Sequence, residues 1–345
     1  MGQHTNNRSG EAYGTYCWRL CSRRFAAAVW AAALIGHAPT TNAQQPSNSQ
    51  NAAGQAQTDE ELAERALDRT LVTTGAVLLP SGLLEIEPSL VYVRSEQSAP
   101  GVFTDTSGAV YVSETRFDQD TLNAAAQLRL GLPHDTQVEL YLPYAHVREE
   151  RITDVALAPR AATSLHLSGL GDVNVAVAKT LLVERTGLPN LVARLSWDTD
   201  TGRTDRAQGL SAGTGFNEAR LSLLATKRQD PLVFLGGPYY EKSFGEGGVK
   251  PGDKIGVSLG AALAASPETS LRVVLNQAFI GNSRSGGVAQ HGSNETIAVV
   301  TVGASMTLAA GKFLDFTIQD GLTHDAPKLA VGASLSMRFG TPWRH

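Results

Sequence analysis

From residue 83 to its end, the chain alternates apolar and polar positions with a period of two. In the stretch LVARLSWD, for example, apolar side chains alternate with Arg194 and Ser196. Because side chains of a β-strand point alternately to opposite faces, this pattern predicts strands with one apolar face. It predicts twelve strands, most of them near the length of about ten residues that a tilted strand needs to cross a bilayer. The segment 232–242 is ambiguous, because its first residues are apolar on both faces.

Short connections alternate with long polar ones along this pattern. The short connections are 133–136, 183–189, 228–231, 266–269 and 309–312, and the long ones are 97–120, 148–171, 199–216, 243–253, 280–293 and 320–327. Outer-membrane barrels have short periplasmic turns and longer extracellular loops, and Tyr92, Tyr144 and Trp197 fall where an aromatic girdle is expected. The sequence therefore predicts an all-β protein, a 12-stranded antiparallel transmembrane β-barrel. A soluble sandwich or lipocalin-like fold remains an alternative.

The N-terminal region has the features of a secretory leader. Arg23 and Arg24 precede an apolar run, and small residues follow, with cleavage expected near Ala43. Thr58 and Glu61 have the spacing of a capping box, which predicts an amphipathic helix over 59–72. The predicted organisation is a signal peptide (1–43), a flexible linker (44–57), a helix with the segment leading to the barrel (58–82), the barrel (83–339) and a C-terminal extension (340–345). A buried N-terminal helix is the alternative to a leader. The predicted location is the outer membrane of a Gram-negative bacterium.

Composition narrows the chemistry. The net charge of −4 gives no basic footprint for nucleic acid. Cys17 and Cys21 both lie in the predicted leader, so the exported chain has no disulfide or thiolate chemistry. The sequence predicts no metal site and no cofactor. The expected partners are outer-membrane lipid, the barrel-assembly machinery, and either a small-molecule solute or an exported polypeptide.

Charged residues interrupt the strands on the face opposite the leucines. The predicted lumen charges are Glu85, Glu87, Arg129, Glu139, Arg194, Glu218, Arg220, Arg272, Asp315 and Arg338. Fixed charges in a pore determine which solutes enter, so these residues are candidates for selectivity. Alternatively, they pair across strands and with charged residues of the helix, which are Glu64, Arg65, Asp68 and Arg69. Both roles are compatible, since a helix held by such pairs would be a gate.

Four segments carry a family resemblance: GLGDVNVAVAKTLL (169–182), KRQDPLVF (227–234), PGDKIGVSLGAALAASPETSL (251–271) and GLTHDAPKLAVGASLSMRF (321–339). Together they resemble the bacterial outer-membrane channels named for the phenol meta-cleavage degradation pathway, and also the secretion channel of the functional-amyloid (Fap) system. The resemblance implies a twelve-stranded barrel with Phe339 as its assembly signal. It also implies a helix folded into the lumen as a plug, to which residues 64–88 are similar. The trimeric coiled coil of the amyloid channel has no counterpart here.

These observations predict a passive channel or transporter for small hydrophilic or aromatic compounds, gated by the N-terminal helix. The alternatives are a secretion channel for a functional-amyloid polypeptide, an outer-membrane enzyme, and a soluble periplasmic β-protein. We expect no enzymatic activity. The G-x-S-x-G pattern from Gly256 to Gly260 lies in the middle of an alternating strand, whereas a nucleophile elbow requires a sharp strand-to-helix turn. The solute, the direction of transport and the oligomeric state stay open.

Overall fold

The structure, a computed structural model, describes residues 67–104, 108–155, 161–205 and 207–341. The predicted leader and linker, the two cysteines, and Glu64 and Arg65 lie outside the described residues. Among the described residues, no helix is long and apolar enough to cross a membrane.

One short helix precedes a long series of strands. The helix, α1, covers residues 67–73. The strands are β1 (Leu83–Thr104), β2 (Val110–Leu132), β3 (Thr136–Val155), β4 (Ala161–Leu170), β5 (Asn174–Leu182), β6 (Asn190–Asp198), β7 (Thr204–Asp205), β8 (Leu210–Ser211), β9 (Glu218–Gln229), β10 (Leu232–Ser243), β11 (Val249–Lys250), β12 (Lys254–Ala264), β13 (Thr269–Ile280), β14 (Arg284–Ser285), β15 (Val288–Ala289), β16 (Glu295–Ala309), β17 (Lys312–Gly321) and β18 (Leu329–Gly340).

A single antiparallel sheet closes on itself. β1 pairs with β18 on one side and with β2 on the other, and β2 pairs with β3. From β3 the order continues through β5, β6, β9, β10, β12, β13, β16 and β17 to β18. β3 pairs with β5 through its first residues and with β4 through its later ones, so β4 and β5 share one place in the wall. The thirteen strands of the sheet therefore fill twelve places, and the predicted barrel is confirmed.

The barrel wall exposes apolar side chains on its outer face and buries charged side chains on its inner face, the reverse of a water-soluble protein. Every strand of the wall carries an exposed large hydrophobic side chain, such as Leu195 or Leu259, whereas Glu85 and Asp315 on the inner face are buried. A closed barrel satisfies every backbone hydrogen bond within the sheet, and so its apolar outer face can contact lipid.

Two of the predicted loops are largely strand. The ladder between β1 and β2 runs unbroken up to the pair Thr104–Val110, across most of the loop predicted at 97–120. The β3–β4 ladder likewise occupies most of 148–171. These hairpins continue because backbone pairing needs no apolar face. Because these hairpin segments carry polar residues on both faces, apolar alternation does not predict them as strands.

The segment after α1 leads back to the wall beneath Gly131 of β2. A Cβ atom on Gly131 would overlap the carbonyl oxygen of Pro80. The amide of Gly82 donates to the carbonyl of Gly131 at 3.0 Å, so the segment cannot move away without losing this bond. We expect Gly131→Ala to lower the free energy of unfolding by about 1–3 kcal/mol, measured by denaturant titration in detergent micelles. Gly281→Ala is the control, because the nearest atom to its Cβ is the carbonyl oxygen of Asp253 at 3.6 Å. Equal losses in both variants would contradict this interpretation.

Candidate functional site in the barrel lumen

The predicted lumen charges lie on the inner face of the wall at two levels. The inner mouth is the barrel end that carries the short turns, such as 228–231 and 266–269, and the outer mouth is the opposite end. The inner level, near the inner mouth, contains Glu85, Glu87, Arg129, Glu139, Arg194, Arg272, Asp315 and Arg338. The outer level contains Glu218 and Arg220. Both levels pair with further residues that the sequence did not single out.

At the inner level, one arginine bridges two carboxylates. The guanidinium of Arg129 donates to Glu85, and to Glu87 at 2.6 Å. Arg338 donates to the other oxygen of Glu85, also at 2.6 Å. Arg129 and both carboxylates are almost fully buried, with exposed fractions of 3% or less. A buried ion pair contributes little net stability while intact, but removing one partner is costly.

A second pair of charges at this level lies against the segment that follows α1. Arg194 donates to Glu139 at 2.9 Å, and the Gln137 amide donates to the same carboxylate at 2.8 Å. The Gln137 side-chain oxygen accepts the backbone amide of Leu79 at 2.8 Å. A Cβ atom on Gly75 would overlap the Arg194 guanidinium. Wall and segment are thus fitted to each other at these positions.

The third inner-level pair joins β13 to β17. Arg272 on β13 makes two hydrogen bonds of 2.7 Å to Asp315 on β17, across β16. Ser305 on β16 lies between them, accepting from Arg272 at 3.2 Å and donating to Asp315. All three side chains are buried.

The outer level is a chain of alternating charges on neighbouring strands. Arg220 on β9 donates to Glu241 on β10 at 2.5 Å, and Glu241 contacts Lys254 on β12 at 2.5 Å. Lys254 also reaches Glu218 at 3.4 Å, and Ser243 donates to Glu218 at 2.6 Å. The sequence did not predict Glu241 or Lys254. An even number of positions separates Glu241 from Val233, so both side chains point to the same face of β10. That spacing is the sequence feature that could have indicated an inner-facing position for Glu241.

The helix α1 is docked inside the barrel at the inner mouth. Asp68 pairs with Arg228 at the end of β9, and the hydroxyls of Thr70 and Ser270 are hydrogen-bonded. Leu71 is 1% exposed and packs in one buried cluster with Val233. The helix therefore contacts the wall through an ion pair, a hydrogen bond and an apolar cluster. Arg228 is not among the predicted lumen charges.

Arg69 of α1 lies against Phe313 on the inner wall. Its guanidinium lies 5.1 Å from the ring centre of Phe313, and that of Arg338 lies 4.7 Å from the same ring. Burial lowers the pKa of Arg69 from its ordinary value, and the charge of Arg338 lowers it further. The carboxylate of Glu268 acts in the opposite direction, and the Phe313 ring attracts the cation, so Arg69 takes part in both favourable and unfavourable interactions.

At the outer mouth, Asp172 anchors a loop. It lies in the break between β4 and β5, is 8% exposed, and accepts the amide of Gly202 at 2.7 Å. Its other oxygen accepts the amide and, at 3.0 Å, the hydroxyl of Thr214. Leu210 of the same loop packs with Ala145 on the inner face of β3. The loop is thereby held against the inside of the wall.

Phe339 lies on the outer face of β18 with 47% of its surface exposed. Thr341 donates its amide to the carbonyl of Gly82 at 2.9 Å, while 342–345 lie outside the described residues. The role of Phe339 in assembly stays a prediction.

Comparisons with known proteins give one family match and several matches among solved structures. A family model for the MetA pathway of phenol degradation matches residues 41–339. No curated protein sequence matches the chain.

Among solved structures, the COG4313 outer membrane channel from Pseudomonas putida F1 superimposes with a TM-score of 0.56 at 16% identity, over 76% of this chain and 97% of that one. OmpT of Vibrio cholerae, with its loop L8 deleted, gives a TM-score of 0.36 at 8% identity, over 74% and 98%. The first match supports the barrel fold. The second is too distant to support an argument.

Proposed function

Because the chain belongs to the phenol-degradation MetA-pathway family of outer-membrane channels, we propose that it is a passive channel gated by its N-terminal helix. In this proposal, solutes cross down their gradient, and the helix controls access at the inner mouth. The expected solutes are small hydrophilic or aromatic compounds. Because its relatives are channels, we expect transport rather than catalysis.

The observation that carries the proposal is the docking of α1 inside the barrel. Its contacts reach several parts of the wall: Asp68 to β9, Thr70 to β13, and Leu71 to β10. A segment seated across the inner mouth in this way would oppose ion flow while docked.

The lumen charges support selection of solutes at two levels. At the inner level, the ion pairs of Arg129 with Glu85 and of Arg272 with Asp315 are buried, and so they support a structural role beside the helix. At the outer level, Arg220 keeps 43% of its side chain exposed, so solutes in the lumen can reach it. A fixed, accessible charge biases entry through local potential rather than tight binding.

A reversible cross-link between helix and wall tests the gate. The hydroxyls of Thr70 and Ser270 touch, and a disulfide needs Cβ atoms about 3.5–4.5 Å apart, so Thr70→Cys with Ser270→Cys should form one. We expect single-channel current to be low and steady when the pair is oxidised, and to fluctuate and rise after reduction. Ser270→Cys alone is the control, and its single-channel current should not change on oxidation or reduction.

Two outcomes would contradict the proposal. Cross-linked protein that conducts like the unmodified chain would exclude the helix as the gate. No current under any condition, despite confirmed insertion into the bilayer, would exclude the channel itself.

A further inference from the structure

The outer level of the lumen presents two opposite charges that are not paired with each other. The register between β6 and β9 aligns Ser196 with Arg220, and Asp198 with Glu218. Asp198 and Arg220 are therefore diagonal neighbours on the inner face. In a regular sheet, the Cα atoms of such neighbours lie about 7–8 Å apart. Within the part of the chain that the structure describes, no ion pair joins them.

A different neighbour holds each of the two charges. Glu241 accepts from Nε of Arg220 and contacts Nη2, each at 2.5 Å, and the guanidinium lies 4.6 Å from the ring centre of Tyr239. Asp198 accepts the side-chain amide of Asn174 at 2.8 Å. Each group is thus held in position by a different neighbour rather than by direct contact with the other.

Solvent in the lumen reaches both groups. Arg220 has 43% of its side chain exposed, and Asp198 is half-buried. Their acidic neighbours Glu218 and Glu241 are buried, at 3% and 1%. Glu241 occupies Nε and Nη2 of Arg220, which leaves Nη1 for a ligand.

We propose that Arg220 and Asp198 form a binding site for small zwitterions that carry one carboxylate and one ammonium group, of which α-amino acids are the simplest. The carboxylate would bind Arg220 and the ammonium Asp198, both through charge-assisted hydrogen bonds. A monoanion or monocation satisfies only one of the two groups. This inference rests on the proposed function, since it places the site on the route of solutes.

Calorimetric titration of the full-length protein in detergent tests the site, with free glycine as the probe and acetate and methylammonium as its singly charged analogues. We expect glycine to bind more tightly than either analogue at low ionic strength. Asp198→Asn keeps an acceptor for Asn174 but removes the charge, and should weaken glycine binding about tenfold or more without weakening acetate binding. Asp320→Asn, the same change at an exposed site on the outer face of β17, is the matched control and should have no effect.

Arg220→Lys provides a second variant in case Asp198→Asn fails to fold. It keeps a cation beside Glu241 but removes the planar fork, so it should weaken both glycine and acetate. The site would be overturned by equal affinities for glycine and acetate, or by an affinity for glycine that is the same in both variants as in the unmodified protein. Salt conductance is recorded in parallel. A protein that conducts but does not bind glycine would overturn the binding site and leave the channel proposal standing. A protein that binds glycine without conducting supports the site and overturns the channel.

Discussion

Deleting residues 58–80 should convert a low, fluctuating current into a large and steady one, with conductance rising several-fold. The deletion removes α1 and with it the contacts to Arg228, Ser270 and Val233 at the inner mouth. It leaves β1, which begins at Leu83, and the closing ladder between β1 and β18 intact. Single-channel recording of the refolded chain from residue 44 in planar bilayers measures the effect.

Deletion of 44–57 is the matched control, since it shortens the same N-terminal region and spares the helix. It should leave the current of the full chain unchanged. If both deletions raise conductance equally, tethering of the chain end rather than docking of the helix controls the current.

Arg129→Met should destabilise the barrel more than any other single change at the inner level. It leaves Glu87 buried without a cation, while Glu85 keeps only Arg338. The loss of one partner from a buried pair costs about 3–5 kcal/mol, because the remaining charge stays uncompensated. Denaturant titration in micelles, followed by tryptophan fluorescence, measures the change.

Arg148→Met, at an exposed position on the outer face of β3, is the control and should cost far less. Adding Glu87→Gln to Arg129→Met should recover part of the loss, since the uncompensated charge is then gone. A loss of under about 1 kcal/mol for Arg129→Met alone would show that water reaches this cluster.

The barrel could be predicted because lipid on one side and a polar lumen on the other impose a strict period of two. The alternation is lost in strand segments that do not have lipid on one side and the polar lumen on the other. The outer face of β2 carries Asp118 and Asp120 rather than apolar residues, so the alternation predicts a loop where the structure has a long hairpin. The signal also fails in β10, where Phe234 is exposed on the outer face and Val233 is buried against α1. That strand is apolar on both faces because one contacts lipid and the other the helix.

The inner-facing charges were predictable from the same alternation, but their partners were not. Glu241 belongs to the ambiguous strand, and Lys254 begins β12 directly after a predicted loop. The pair between Asp68 and Arg228 joins residues 160 positions apart. Alternation assigns a residue to a face, but it carries no information about which distant residue it meets there.

The contacts of α1 also constrain the order of folding. The helix precedes the first strand, yet its partners Arg228 and Ser270 lie 160 and 200 residues further along the chain. Contacts at such sequence separation carry a large entropic cost until the intervening chain is ordered. Most of the wall must therefore be assembled before the helix can bind, although the helix is synthesised first. Docking of the helix therefore comes late in folding, after the strands that carry Arg228 and Ser270 have paired.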